Sequence, residues 1–237
     1  MGTIYQLTLR QLAGRWRLTI MFVLSAMPVL IALLMLRSDS APSVEEFEAG
    51  ILNAMLAGSI APLVVLAIAA AAFSNEVEDR TLANLVLSPV PRWQIALPKL
   101  LATITIAAPF IAISALLTTY IAFLGDVKAM VAVTVSALAG IALYSSVFVW
   151  LGLMSAQAVG LGLLYVVVWE GFFAGFVSGV RLLSIRYHAI SLMHGLDPRR
   201  FDSVEHVGLV TTISLLALVF GGFLWMTIRR LRRMDIP

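Results

Sequence analysis

Two sets of residues in this chain have the types and spacing to do chemistry, and both are polar islands in an apolar sequence. The first is residues 74–99, S-N-E-V-E-D-R-T-L-A-N-L-V-L-S-P-V-P-R-W-Q-I-A-L-P-K, read as a loop between two long apolar runs. It opens with Glu76, Glu78 and Asp79, acids suited to the positive end of a helix dipole. Leu82, Leu85 and Val86 follow at helical spacing, and Pro89 and Pro91 then stop the helix. Arg92, Trp93 and Lys99 come where the chain turns apolar again. A brief, capped helix with a charged start and an apolar face is a docking element for an aqueous partner. The second is Glu170 in V-V-V-W-E-G-F-F, the single charge between Ala129 and Gly179. An ionised carboxylate in hydrocarbon costs on the order of several kcal/mol, so Glu170 must be neutral, paired, or turned toward water or the bundle interior. Two roles stay open for it: lining a translocation path, or stapling two helices together.

Other chemistry has no residues to carry it. No G-x-x-x-x-G-K-[ST] occurs, and neither Lys99 nor Lys128 follows a Gly, so the chain cannot bind ATP by a P-loop. A G-x-S-x-G elbow, an H-E-x-x-H motif and paired membrane carboxylates are all missing, which argues against an intramembrane enzyme. With no Cys there is no disulfide and no thiolate ligand. His188, His194 and His206 share one segment, but a spacing of six suits neither face of a helix. A solvated loop is the expectation there rather than a metal site. No metal, no cofactor of its own and no nucleic-acid partner is expected.

The elements that position these residues follow from composition. The 237 residues are 61% hydrophobic and 12% charged, with a mean hydropathy of +0.99, against about 25% charged in a soluble domain. A soluble chain this short could not bury so much apolar surface, so the bilayer is its solvent. A spanning helix needs about 20 apolar residues, and six runs qualify: 18–36, 50–73, 100–124, 129–154, 157–179 and 207–228. The fourth and fifth are nearly fused, with Ser155-Ala156-Gln157 as the only plausible turn. The expected fold is thus all-α and integral to the membrane, one transmembrane domain over residues 1–237.

Orientation follows from Lys and Arg near the span ends. With both termini in the cytoplasm, ten lie inside (Arg10, Arg15, Arg17, Arg80, Arg92, Lys99, Arg229, Arg230, Arg232, Arg233) and six outside (Arg37, Lys128, Arg181, Arg186, Arg199, Arg200). Ahead of the first span, Tyr5, Leu9, Leu12 and Trp16 recur on one helical face with Gln6, Arg10 and Arg17 opposite, the pattern of an amphipathic helix in the membrane interface. Residues 180–206 mix apolar residues with Arg, His and Asp and carry turn signals at Gly195 and Asp197-Pro198. Short external helices against the outer leaflet account for that mixture. The run Arg229-Arg230-Leu231-Arg232-Arg233 is a basic stop after the last span, read as an orientation anchor in preference to a lipid site.

The loop also carries a family likeness. Glu76-x-Glu78-x-Arg80-Thr81-Leu82-x-x-Leu85-x-x-Ser88-Pro89-Val90-Pro91-Arg92-x-x-Ile95-x-x-x-Lys99 resembles the acidic-(G/R)-T-L-x-x-L-L-x-x-P-V-x-R-x-x-I-x-x-x-K signature of the type-2 ABC exporter permeases. The likeness extends to the leading helix, the six spans, the W-E-G of span five and the mixed segment before span six. Many members have Gly where this chain has Arg80, and the helix pattern survives that change. The resemblance implies two permease subunits, paired as a homodimer, above two ABC ATPase subunits that bind ATP and Mg. It assigns ATPase coupling to Glu76, Glu78, Arg80, Thr81, Leu82, Leu85, Pro89 and Arg92, with the loop after span two as a cytoplasmic coupling helix in the plasma (inner) membrane. Two rivals share the spans: an ion-coupled secondary carrier that titrates Glu170, and a haem-export-like cytochrome maturation subunit that uses the external His.

Overall fold

The computed structural model describes residues 2–37, 43–78, 90–174, 181–201 and 207–233, and every regular element among them is helical. Helix α1 (Gly2–Leu12) turns Leu12 and Thr8 inward and fastens Tyr5 Oη to Thr105 Oγ1 at 2.9 Å. Its stripe is shorter than the sequence pattern implies. Gly14 is extended (φ −65°, ψ 137°) and begins a new helix, α2 (Arg15–Leu36), which carries Trp16 away from α1 and leaves it 81% exposed. Residues Tyr5, Leu9 and Leu12 do share the inner side, joined by Ile4 and Thr8.

Helix α3 (Val44–Phe47) leads into a π-helical stretch, Glu48–Ile60, then α4 (Ala61–Ala69) and α5 (Ala71–Glu78). These four pieces form one run that is mostly buried, with Val64, Val65 and Ile68 at 0% exposure. It is the core helix of the bundle. Helix α6 (Trp93–Phe123) and helix α7 (Val127–Met154) return as an antiparallel pair through a tight turn, where Leu124 and Gly125 take positive φ and Asp126 caps α7 by accepting from the Lys128 and Ala129 amides. The break at residues 155–157 separates α7 from α8 (Ala158–Leu164), which continues as a second π-helical stretch, Tyr165–Phe173. A single 3₁₀ turn, Arg181–Leu183, precedes α9 (Ile185–Leu196), and α10 (Leu209–Arg233) closes the fold.

Five helices are long and apolar enough to cross a membrane: Arg15–Leu36, Glu45–Glu78, Trp93–Phe123, Val127–Met154 and Leu209–Arg233. The fifth of the six expected spans is represented by the shorter apolar helix Ala158–Phe173, so among the described residues five, not six, have spanning length. Helices α2 and α10 bury few side chains, as expected where hydrocarbon is the solvent, while α4, α6 and α7 supply the core. Two glycines set how closely they pack. A Cβ on Gly152 would lie 2.3 Å from the Ala70 carbonyl oxygen, and one on Gly162 would lie 2.2 Å from Leu66 Cδ1. Small residues at such crossings let backbones touch without a side chain between them.

Residues 74–99 are not one loop. Ser74–Glu78 prolong α5, and α6 begins at Trp93, seven residues ahead of the expected span, so Pro98 and Lys99 lie inside a helix. The reason is electrostatic. Lys99 was expected in the loop just ahead of the third apolar run, but it is tolerated inside a helix at 1% exposure because a carboxylate meets it.

Candidate functional site

The first buried polar cluster joins the two arms that flank residues 79–89. Lys99 Nζ, on α6, sits 2.5 Å from Glu76 Oε1, on α5. The same ammonium donates to the Ala72 carbonyl and lies 4.4 Å from the centre of the Phe73 ring. Ammonium, carboxylate, carbonyl and ring face together satisfy a cation that hydrocarbon alone would reject. Of the predicted coupling residues, Glu76, Glu78 and Arg92 are described; Arg80, Thr81, Leu82, Leu85 and Pro89 lie outside the described residues. Glu78 is exposed, and Arg92 Nη1 donates to the Val90 carbonyl at 3.4 Å.

The second cluster lies at the opposite end and is built around α9. Glu170 is 0% exposed and receives three donors: Tyr165 Oη at 3.0 Å, Ser184 Oγ at 2.5 Å and the Ile185 amide at 2.9 Å. Ser184 is the N-cap of α9 and its Oγ also accepts from the Tyr187 amide at 3.1 Å. The carboxylate therefore lies against the first amide of α9, where unpaired N–H groups and the helix dipole favour an acid. At the far end of α9, His194 Nε2 donates to Glu48 Oε1 at 2.9 Å, with both side chains at 1% exposure or less. Between them, Arg186 Nε donates to Asn53 Oδ1 at 2.6 Å. Burial draws the Arg186 guanidinium below its ordinary pKa, and nearby Tyr144 and Glu170 act in the opposite sense.

The two π-helical stretches explain why these partners align. In a π-helix the backbone bonds run i→i+5, so residues five apart stack on one face. That geometry sets Tyr165 beneath Glu170 and brings Glu48 and Asn53 to the same side, toward α9. Sequence reasoning missed Glu48, Asn53, Tyr165, Ser184 and Lys99 as members of buried clusters, and took Glu170 for the sole deep charge. The signal available was a polar pair five apart within an apolar run, twice over.

The histidine expectation is also corrected. His188 and His194 lie in α9, not in a solvated loop, at 3% and 1% exposure. A spacing of six separates them by about 120° around the helix, and each finds its own partner: His188 Nε2 donates to the Leu182 carbonyl at 2.7 Å, His194 to Glu48. His206 lies outside the described residues. Among the described residues, no three His, Asp or Glu side chains converge as a metal site.

The chain is thus a bundle of apolar helices whose few buried charges tie helix to helix. No curated protein matches it. A family model described as ABC-2 family transporter protein matches residues 15–186. That match spans the core helices, both π-helical stretches and the flanks of the polar loop, well over half of the sequence, and the chain belongs to the ABC-2 transporter family of multi-pass membrane proteins.

Proposed function

We propose that the chain is the transmembrane subunit of an ATP-driven exporter. Two copies pair, and separate ATPase subunits bind ATP and Mg and drive them through the segment after the second apolar run. The chain's lack of a P-loop agrees with this division of labour. The observation that carries the reading is the Glu76–Lys99 pair. A docking element delivers work only if its base is stiff, and this pair locks the two arms of residues 79–89 to each other within the core. Displacement of that segment would pass directly into α5 and α6, two helices continuous with the bundle interior.

The carrier alternative requires Glu170 to exchange protons with water. Its full burial and three intramolecular donors favour a structural role instead, in which it holds the N-terminus of α9. The haem-handling alternative requires exposed imidazoles, whereas the Nε2 atoms of His188 and His194 are engaged within the chain.

The test is isolation of the tagged chain from native membranes, with ATP hydrolysis measured after reconstitution in liposomes. An ABC ATPase should co-purify, and Leu85→Asp should release it while the permease stays inserted. Retention of no ATPase, or unchanged retention by Leu85→Asp, overturns the proposal. Orientation is tested separately in this Cys-free chain. A cysteine at Ser43 should react with an impermeant thiol reagent on intact cells, and one at Asn84 only after permeabilisation; the reverse pattern inverts the topology.

A further inference from the structure

At the end of the bundle that carries Lys99, the last turns of α10 meet the first turn of α6 around a cavity of about 430 Å³. It is lined by Trp93, Trp225, Ile228, Arg229 and Arg232. Arg229 holds its guanidinium 5.0 Å from the centre of the Trp225 ring, which fixes a long side chain that would otherwise sweep through solvent. Among the described residues neither Arg229 nor Arg232 has an acidic partner, so two cations face the cavity uncompensated. Trp93 is 43% exposed and Trp225 57% exposed, so both rings are open to a neighbour.

Position narrows the ligand. Both tryptophans sit where an apolar helix gives way to polar sequence, the level at which indole rings settle beside lipid headgroups. Guanidinium groups bind phosphate through paired N–H donors. The rest of the lining is an isoleucine and two tryptophans, which suit glycerol and the first methylenes of an acyl chain and offer a hydrated free ion no charge and only indole N–H donors. We infer that this cavity binds the phosphate headgroup of an anionic glycerophospholipid, with Arg229 and Arg232 on the phosphate and Trp93, Trp225 and Ile228 against the glycerol and upper chain. The α6–α10 seam then carries a bound lipid beside the helix that leaves the polar loop.

Charge alone would give any basic surface some preference for anionic lipid, and the chain supplies its own control. Arg230 and Arg233 lie in the same turns but do not line the cavity. The full-length protein, exposed to an equimolar mixture of phosphatidylglycerol and phosphatidylcholine, is examined by native mass spectrometry for retained lipid. Phosphatidylglycerol should be retained preferentially, and the paired substitution Arg229→Gln with Arg232→Gln should reduce that preference about tenfold. Arg230→Gln with Arg233→Gln, the same change in charge, should leave most of it. Trp225→Leu should weaken retention and Trp225→Phe preserve it, which separates lost contact from lost folding. Equal loss in the two arginine pairs means diffuse attraction and overturns the inference. Displacement of the lipid by inorganic phosphate makes this a site for a free anion and overturns it too. Unchanged lipid retention with loss of a co-purifying ATPase marks a protein-docking face, which likewise sinks the lipid assignment.

Discussion

At the end of the bundle that carries the polar loop, one lysine and one glutamate neutralise each other across two helices. At the opposite end, two carboxylates accept from a serine, a tyrosine, a histidine and a backbone amide around a single short helix. The first cluster is one strong tether, because each charge depends on the other. The second is a clasp of separate attachments, because each carboxylate has its own donors from α9. On the proposed function, a tether of that kind would pass a push from residues 79–89 into both helices. A clasp of separable anchors lets α9 stay docked while one of them opens. Under the proposed function, the loop end would receive work and the α9 end would gate access.

The largest effect is expected from Glu76→Ala. Lys99 would be left with 2% side-chain exposure and no counter-charge, a loss that costs about 3–5 kcal/mol when one partner of a buried pair is removed. Lys99→Met should cost about as much, because it takes the donor from Glu76 Oε1 while Oε2 is already buried without a hydrogen-bond partner among the described residues. Adding Lys99→Met to Glu76→Ala should recover much of the loss. Thermal unfolding of detergent-purified protein reads all three. A double variant no more stable than Glu76→Ala would mean that the tether is not mutual, and the contrast between the two ends would fall.

Next is Glu170→Ala, which strands the hydroxyls of Tyr165 and Ser184 and the Ile185 amide at the start of α9, for about 2–3 kcal/mol. Glu170→Gln keeps an accepting oxygen for the Ile185 amide, and the hydroxyls can turn to meet the new NH₂, so it should cost about 1 kcal/mol or less. Transport by the Gln variant should be near normal. Normal stability with lost transport would make Glu170 part of the path, and the cluster around α9 would then be more than a clasp.

These two residues show how far the sequence could be read. Glu170 was legible because isolation of a charge in an apolar run is a property of composition, and its need for partners follows from desolvation. Its partners were not legible. Ser184 and Ile185 reach it from 14 and 15 positions further along the chain, and Tyr165 only because the backbone there is π-helical, which no apolar periodicity announces. The turn at residues 155–157 was legible from Ser155 and Gln157 interrupting an apolar run. Lys99 misled for the opposite reason: its charge argued for a loop, whereas a carboxylate 23 positions earlier made a buried place for it. Trp16 misled because a four-residue stripe ignores the extended Gly14 that breaks the helix beneath it. Local pattern thus located the helices, and tertiary pairing decided the exceptions.

A smaller effect tests why the tethered end is stiff. Gly152 on α7 lets the Ala70 carbonyl, at the join of α4 and α5, lie against its backbone. Gly152→Ala places a methyl group 2.3 Å from that oxygen, and backbone must move to relieve the overlap, for about 1–3 kcal/mol. ATP hydrolysis by the assembled complex should continue while transport falls, since the push would arrive at helices no longer seated on one another. Transport in proportion to the amount of folded protein would show that close packing at this end serves stability alone.

The smallest effect, and the sharpest test of separable anchors, is His194→Gln. A glutamine amide reaches Glu48 with an N–H donor in place of the imidazole, so the cost should be about 0.5–1 kcal/mol. His194 and Glu170 serve opposite ends of a helix of 12 residues, about 18 Å long. At that separation two substitutions without shared partners add to within about 0.5 kcal/mol. The double variant His194→Gln with Glu170→Gln should therefore unfold at the stability given by the sum of the two single losses. A coupling well above that bound would mean that α9 docks or detaches as one unit. The cluster around α9 would then be as indivisible as the Glu76–Lys99 pair, and gating by the release of one end of α9 would have no physical basis.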